Sequence, residues 1–303
     1  MVRADDNREG VSRTCWVVAG HIIVHATGAV KSPGRCIGAR PVDGAIIGAN
    51  QPSGTQDGLS MPDRTFLRTD SVCLIVGVIG FVVFVSITPV EPSEVFDRPV
   101  ETLQEMVDEE NMWLASHVLA LASIGLILVG LGALSHSMRV AQSVEVWRRA
   151  AFIAAVMGTT VLIVLMGVDG FGIRGVAVAW ADAPAADKAT ALRIAQTIEA
   201  VNMGLWGVTI GTVFGVAIAL YGVAVAMSDQ YPKWLGWVAI VSGLGGIVLG
   251  MAISFAGGSM NSTEGFWYLF PFFWITALWL LVMGVLVWRK TGTAAGPEAS
   301  PEE

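Results

Sequence analysis

The sequence predicts an all-α fold, a polytopic membrane bundle of six transmembrane helices, and three observations predict it. Of the 303 residues, 54% are apolar and only 14% charged, where a soluble globule carries roughly a quarter charged residues, and mean hydropathy is +0.64. The charge is segregated, with long stretches holding none and short intervening pieces holding nearly all of it. The uncharged stretches are long enough to cross the roughly 30 Å hydrocarbon core of a bilayer as helices. Lipid offers the backbone no hydrogen-bond partner, so runs of this kind must be helices and not open sheet.

Residues 1–65 differ from the rest, being rich in Gly, Pro, Arg and Asp around one modest apolar run, CWVVAGHIIVHATGAV. That run is short for a span, which needs about 20 residues. Preceded by Arg3, Arg8 and Arg13 it has the outline of a secretory signal. Cleavage, however, would leave the following segment outside, whereas the basic residues around the spans want it inside. The segment is therefore expected to be a poorly ordered extension, or one that a start codon assigned too far upstream of Met61 has added. Residues 291–303 form a short acidic tail, expected to be disordered.

The six predicted spans are 71–90, 112–134, 150–168, 202–227, 234–256 and 266–288. Arg64 and Arg68 precede the first span. Arg139, Arg148 and Arg149 fall in or beside the second connection, Lys233 in the fourth, and Arg289 and Lys290 after the sixth. Basic residues are retained on the cytoplasmic side, so both termini are expected in the cytoplasm of a cell bounded by this membrane. Arg98, Arg174, Lys188 and Arg193 are spread over longer stretches on the opposite side. Trp113, Trp147, Trp234, Trp237, Trp267 and Trp288 stand near span ends, where an amphipathic ring prefers the interface.

Two external connections are predicted to be amphipathic helices. Pro99 suits a first helical turn, with Val100, Leu103, Val107 and Leu114 as the apolar stripe. Pro184 suits another, with Ala191, Ile194, Ile198 and Val201 as its buried stripe. "ENM" at 110–112 and "VNM" at 201–203 occupy the same place in the two units, which hints at an internal duplication.

Helices in a membrane gain little by hiding apolar surface and associate through close contact of small residues. Gly207, Gly211, Gly215 and Ala219 make one such ridge, and Ser242, Gly246, Gly250 and Ser254 another. The short connection SDQYPKW forces their spans to be antiparallel neighbours, so the ridges are expected to face each other or an adjacent span, with Gly211 and Gly246 buried. The alternative use of such ridges is sliding of helices in a transport cycle.

Ionisable residues within a span are the first pointers to function. His117, Glu199 and Asp169 all fall at the external end of their spans, with Asn111, Asn202, Ser116 and Arg174 nearby. Two readings stand: interfacial side chains reaching headgroups, or an external-facing vestibule for an ion or small molecule in which His117 pairs with Glu199. The acidic run Glu101, Glu105, Asp108, Glu109 and Glu110 lacks the EF-hand pattern and reads as a solvated face.

No catalytic residue, metal site or cofactor is expected. A haem would need axial histidines deep in the bundle, but His117 and His136 lie at opposite ends of one span, and His21 and His25 precede the spans altogether. HExxH is absent, Leu114 stands where the paired-glutamate intramembrane endopeptidases need arginine after Glu109 and Glu110, and Ser259 has no evident base. Cys15, Cys36 and Cys73 form neither a CxxC nor a Cys/His cluster. A basic nucleic-acid surface is absent from a chain of net charge -7.

The start of the fifth span, Pro232, Lys233, Trp234 and Leu235, resembles that helix in a group of small prokaryotic six-span integral membrane proteins classed as a domain of unknown function. The resemblance covers about residues 65 to 290 through this short motif and the order of features. It implies the same six-span topology, and no substrate. The two function classes that follow from the residues are binding or transport at the vestibule, and an accessory subunit that holds a membrane-protein partner or a second copy of the chain.

Overall fold

The computed structural model describes residues 61–89, 98–138, 142–255 and 270–292. The expectations for residues 1–60, for Trp267 and Ser259, and for the tail beyond Gly292 lie outside the described residues, as does the side chain of Ser254. All regular elements among the described residues are helical: α1 Met61–Ile87, α2 Pro99–Asp108, α3 Glu110–Ser137, α4 Gln142–Met166, α5 Arg174–Asp182, α6 Lys188–Thr209, α7 Ile218–Met227, α8 Lys233–Phe255 and α9 Phe270–Gly292. A first π-helical segment, Gly167–Ile173, joins α4 to α5, and a second, Ile210–Ala217, joins α6 to α7.

Six helical rods are long and apolar enough to cross a membrane: Thr65–Ile87, Glu110–Ser137, Val144–Asp182, Lys188–Met227, Lys233–Ala252 and Pro271–Thr291. The third and fourth, of 39 and 40 residues, are longer than the expected spans 150–168 and 202–227 and extend to about 60 Å at 1.5 Å per residue. The third continues through its π segment, where the sequence suggests a span end, and the fourth begins at Lys188, ahead of the expected start at 202. Around the helical unit each rod contacts the next in sequence, and α9 returns to α1, so the six close into a ring.

One end of the long rods is built into a second apolar cluster with α2, formed by Leu103, Met106, Trp113, Ile173, Ala177, Trp180 and Ala195. Pro99 occupies the first turn of α2. Its buried face is Thr102, Leu103 and Met106, while Val100 is exposed, so the stripe is rotated from the one expected. Ala183 is extended (φ -67°, ψ 138°), as a residue before proline must be. Pro184 opens a turn whose carbonyl accepts from the Asp187 and Lys188 amides, and α6 begins at Lys188. The Lys188 ammonium donates to the carbonyls of Trp180 and Ala181, at 2.7 and 2.9 Å, and lies 4.3 Å from the centre of the Trp180 ring. It thereby adds a donor at the end of α5, where the Trp180 carbonyl also accepts from the Ala183 amide.

On α6 the buried residues are Ala195, Glu199, Asn202, Met203, Gly207 and Thr209, whereas Ile194 and Val201 are exposed. The expected stripe is therefore split: Ala191 and Ile198 pack against the cluster with α2, while Ile194 and Val201 face outward and Glu199 and Asn202 inward. The physical reason is the solvent: a hydrocarbon environment accepts Ile and Val but not Glu and Asn. Trp113 is likewise buried, while Trp147, Trp234, Trp237 and Trp288 are exposed.

Glycines set the helix spacing. An added Cβ at Gly243 would lie 2.5 Å from the Ala219 amide nitrogen and 2.7 Å from the Gly215 carbonyl, and one at Gly250 would lie 2.5 Å from the Gly211 nitrogen and 2.7 Å from the Gly207 carbonyl. Gly207, Gly215, Gly246 and Gly250 are buried, and at Gly246 the Cβ would meet Phe214 and Gly215. Gly211 differs from the expectation: it is half-buried and its Cβ direction is open, because it offers α8 its backbone and not its α-hydrogen face. Ser242 faces α9, bonded to Thr276 at 2.7 Å. Gly130 approaches the Leu74 backbone closely, so α1 and α3 share the device. At the other end of the ring, Ser137 bonds the Tyr231 hydroxyl at 2.6 Å, and burial pushes the Tyr231 phenol up to about 12.

Gly243→Ala is expected to lower the thermal midpoint in detergent, with a loss of about 1–3 kcal/mol from overpacking, whereas Gly211→Ala leaves it unchanged or higher. Differential scanning fluorimetry of both variants checks this; equal effects would mean that α8 and the fourth rod do not meet through these backbones.

Candidate functional site

The polar residues of the long-rod end converge inside it. His117, Glu199 and Asn202 are 0% exposed and Asp169 1%. His117 comes from α3, Asp169 from the first π segment, and Glu199 and Asn202 from α6, one turn apart. A π turn carries one residue more than an α turn and so re-aims the side chains on it. Here it turns Asp169 inward at a glycine-dense stretch, GVDGFGIRG. Gly170 makes the close approach: an added Cβ would lie 2.6 Å from both Cβ and Cγ of His117.

The His117 ring is fixed from three sides. Its Nδ1 lies 2.8 Å from the Trp113 carbonyl, and since a carbonyl only accepts, Nδ1 carries the hydrogen. The ring also stacks at a tilt on Trp113, centroids 4.6 Å apart, and meets Phe84 edge-on at 5.4 Å. Trp113 is held in turn by its indole N–H, which donates to the Gly170 carbonyl at 3.0 Å. The free ring nitrogen, Nε2, faces Asp169 Oδ2 at 3.4 Å. Two lone pairs cannot sit opposite each other without repulsion, so this contact calls for a proton, either on the imidazole or on the carboxyl group.

Asn202 bridges the two acids. Its amide nitrogen donates to Asp169 Oδ1 at 3.0 Å and to Glu199 Oε2 at 3.2 Å. Its own Oδ1 is buried with no hydrogen-bond partner. Among the described residues neither Asp169 nor Glu199 is paired with a lysine or arginine. A protonated His117 balances one carboxylate, and buried charge without a partner is costly, so balance of the second falls to a proton or a small cation.

Of the five residues singled out from sequence, four meet here. Asn111 does not: it is exposed near the start of α3, so "ENM" and "VNM" place their asparagines in unlike surroundings. His117 faces Asp169, not Glu199, and the group is enclosed, not the lining of an open vestibule. Sequence reasoning missed Trp113 and Phe84 as ring supports, and Gly170. It also missed the Arg174–Glu110 ion pair, which joins the end of the first π segment to the start of α3. The signal for Gly170 is the density of glycine around an intramembrane aspartate.

Toward the middle of the ring, Phe81, Phe84, Phe214 and Phe273 form an aromatic layer. Beside it is a cavity of about 30 Å³, lined by apolar side chains and Thr159. Among the described residues no group of three or more His, Cys, Asp or Glu side chains is arranged to hold a metal ion.

No protein-family model, curated protein or solved structure matches this chain.

Asn202→Asp is expected to place a third carboxyl group against two others. The repulsion is present when the added group is ionised and is relieved by protonation, so the loss of thermal stability should grow from pH 5 to pH 8. A pH-independent loss would mean that the cluster is hydrated and not enclosed.

Proposed function

We propose that this is a multi-pass protein of a prokaryotic cytoplasmic membrane whose buried cluster, His117, Asp169, Asn202 and Glu199, takes up and releases an ion, the proton, from the external side. The observation that carries the reading is His117 Nε2 opposite Asp169 Oδ2 at 3.4 Å, both side chains buried, with a second carboxyl group joined through one amide. A proton fits this contact because it can sit on either partner. A metal ion fits it less well, since among the described residues no three His, Cys, Asp or Glu side chains are arranged to hold one.

The orientation belongs to the same proposal. Arg68 over the Trp288 ring and Lys290 over the Tyr231 ring collect basic residues at the end opposite the cluster, which retention of positive charge in the cytoplasm favours. Both termini are then cytoplasmic, and α2, α5 and the start of α6 form an external layer of amphipathic helix over the cluster. An N-terminal extension before Met61 and an acidic tail complete the proposed organisation.

A second reading, an accessory subunit, draws on Gly204 and Gly211, whose Cβ directions are open. A partner helix approaching there would meet small residues, as membrane helices favour. The proton reading is preferred because it accounts for the buried polar group, which a packing subunit has no use for.

Infrared difference spectra of the purified chain between pH 5 and pH 8 test it. A carboxyl band that changes with pH in the wild type, and is lost or displaced in Asp169→Asn and altered in His117→Gln, is the expected result. Spectra unchanged by both substitutions would overturn the proposal.

A further inference from the structure

α3 carries a histidine at each end. Nineteen residues beyond His117, His136 lies in a cleft of about 160 Å³ lined by Phe66, Leu67, Asp70, Gly132, Ala133 and His136. Asp70 on α1 and His136 interact electrostatically across it, and both are half-exposed. At 1.5 Å per residue the two histidines are about 28 Å apart, close to the thickness of a hydrocarbon core, about 30 Å. The spacing matches that of two imidazole and aspartate pairs near opposite faces of one membrane.

We infer that Asp70 and His136 form a second proton-exchange station, on the cytoplasmic face, and that the substrate of the route between the stations is the proton itself. This rests on the reading of the buried cluster given above. A proton accepted at His117 and Asp169 and released from His136 and Asp70 leaves every other bond unchanged, so no oxidant, reductant or co-substrate is involved.

The material between the stations says how the route is controlled. Thr209, two turns along the fourth rod from Asn202, has a buried hydroxyl with no hydrogen-bond partner. Beyond it lie the second π segment and the small cavity with Thr159. The cavity has room for a water but few polar partners for one, and an apolar cavity of this kind stays dry. The aromatic layer of Phe81, Phe214 and Phe273 closes the way in this conformation. A shift of the second π segment that admits water to Thr209 and Thr159 opens it.

Asp70 and His136 are the titratable members of the cleft lining. The other charged groups of the helices at this end are Asp63, Arg64 and Arg68 on α1, Arg289 and Lys290 on α9, Lys233 on α8, which pairs with Asp229, and Glu145, Arg148 and Arg149 on α4, of which Glu145 holds both arginines.

The test is dissipation of a pH gradient by the full chain in liposomes carrying an entrapped pH-sensitive dye, with potassium and valinomycin clamping the voltage. Wild-type chain is expected to dissipate the gradient faster than empty liposomes. Asp70→Asn and His136→Gln should each be slower by tenfold or more, Asp70→Glu should recover most of the rate, and the infrared response of Asp169 should persist in all three. Wild-type rates in Asp70→Asn and His136→Gln, or a wild type no faster than empty liposomes while Asp169 still responds to pH, would overturn the second station and leave the cluster reading standing. Loss of the Asp169 response in the wild type itself would overturn both.

Discussion

Hydrocarbon gives a polar group nothing to bond to, and the consequences run through every level of this chain. The backbone answers by closing its own hydrogen bonds in six helical rods. Side chains answer by reversing the usual arrangement: Ile194 and Val201 turn outward on α6 while Glu199 and Asn202 turn inward. Once inside, those groups must find each other, since an unmatched polar group there costs more than a lost contact. The cluster around Asp169 is where the fold satisfies that requirement, and the glycines are what allow the rods to come close enough to do it.

The rods themselves were legible because their signal is cumulative. Twenty apolar residues in a row outweigh any local propensity, so the glycines of GVTIGTVFG did not break the fourth rod. The boundaries were less legible. Residues 167–182 and 188–201 contain Asp, Arg, Lys and Glu, and so read as connections, yet they continue the helices as a layer packed on α2. Hydropathy measures fitness for lipid, not helicity, and a helix that leaves the hydrocarbon loses the first without losing the second.

The candidate site shows the same division. His117, Asp169, Glu199 and Asn202 stood out because ionisable and amide side chains are rare in such surroundings. Which of them meet was not legible, because partner choice depends on a π turn and on a glycine contact whose geometry sequence spacing does not encode. Spacing through Gly167–Ile173 does not reveal the π turn that aims Asp169, so it does not select Asp169 over Glu199 as the partner of His117. The burial stripes on α2 and α6 failed for a related reason. Periodicity finds apolar positions but not which of them are packed, and on α6 Ala191 and Ile198 pack inward while Ile194 and Val201 stand outside.

The two proposed stations, with an aromatic layer between them, make a consistent physical system. A membrane protein that merely tolerated buried acids would gain by replacing them with apolar residues of similar size, since breaking even a well-made buried pair into hydrophobic packing is often neutral or stabilising. Here the acids are instead supported by several unrelated features at once: the π turn that aims Asp169, Gly170 against the imidazole, the indole that locks the ring, and the amide that bridges the carboxyl groups. Each would be idle in a structure that needed only to be filled. The unpaired acceptor on Asn202 and the unpaired hydroxyl on Thr209 extend in the same direction, as bonding capacity held in reserve for water that the closed aromatic layer excludes. That combination, costly polar groups held in place by several independent features with an aromatic layer beside them, is the physical support for the proposed exchange of an ion at this cluster.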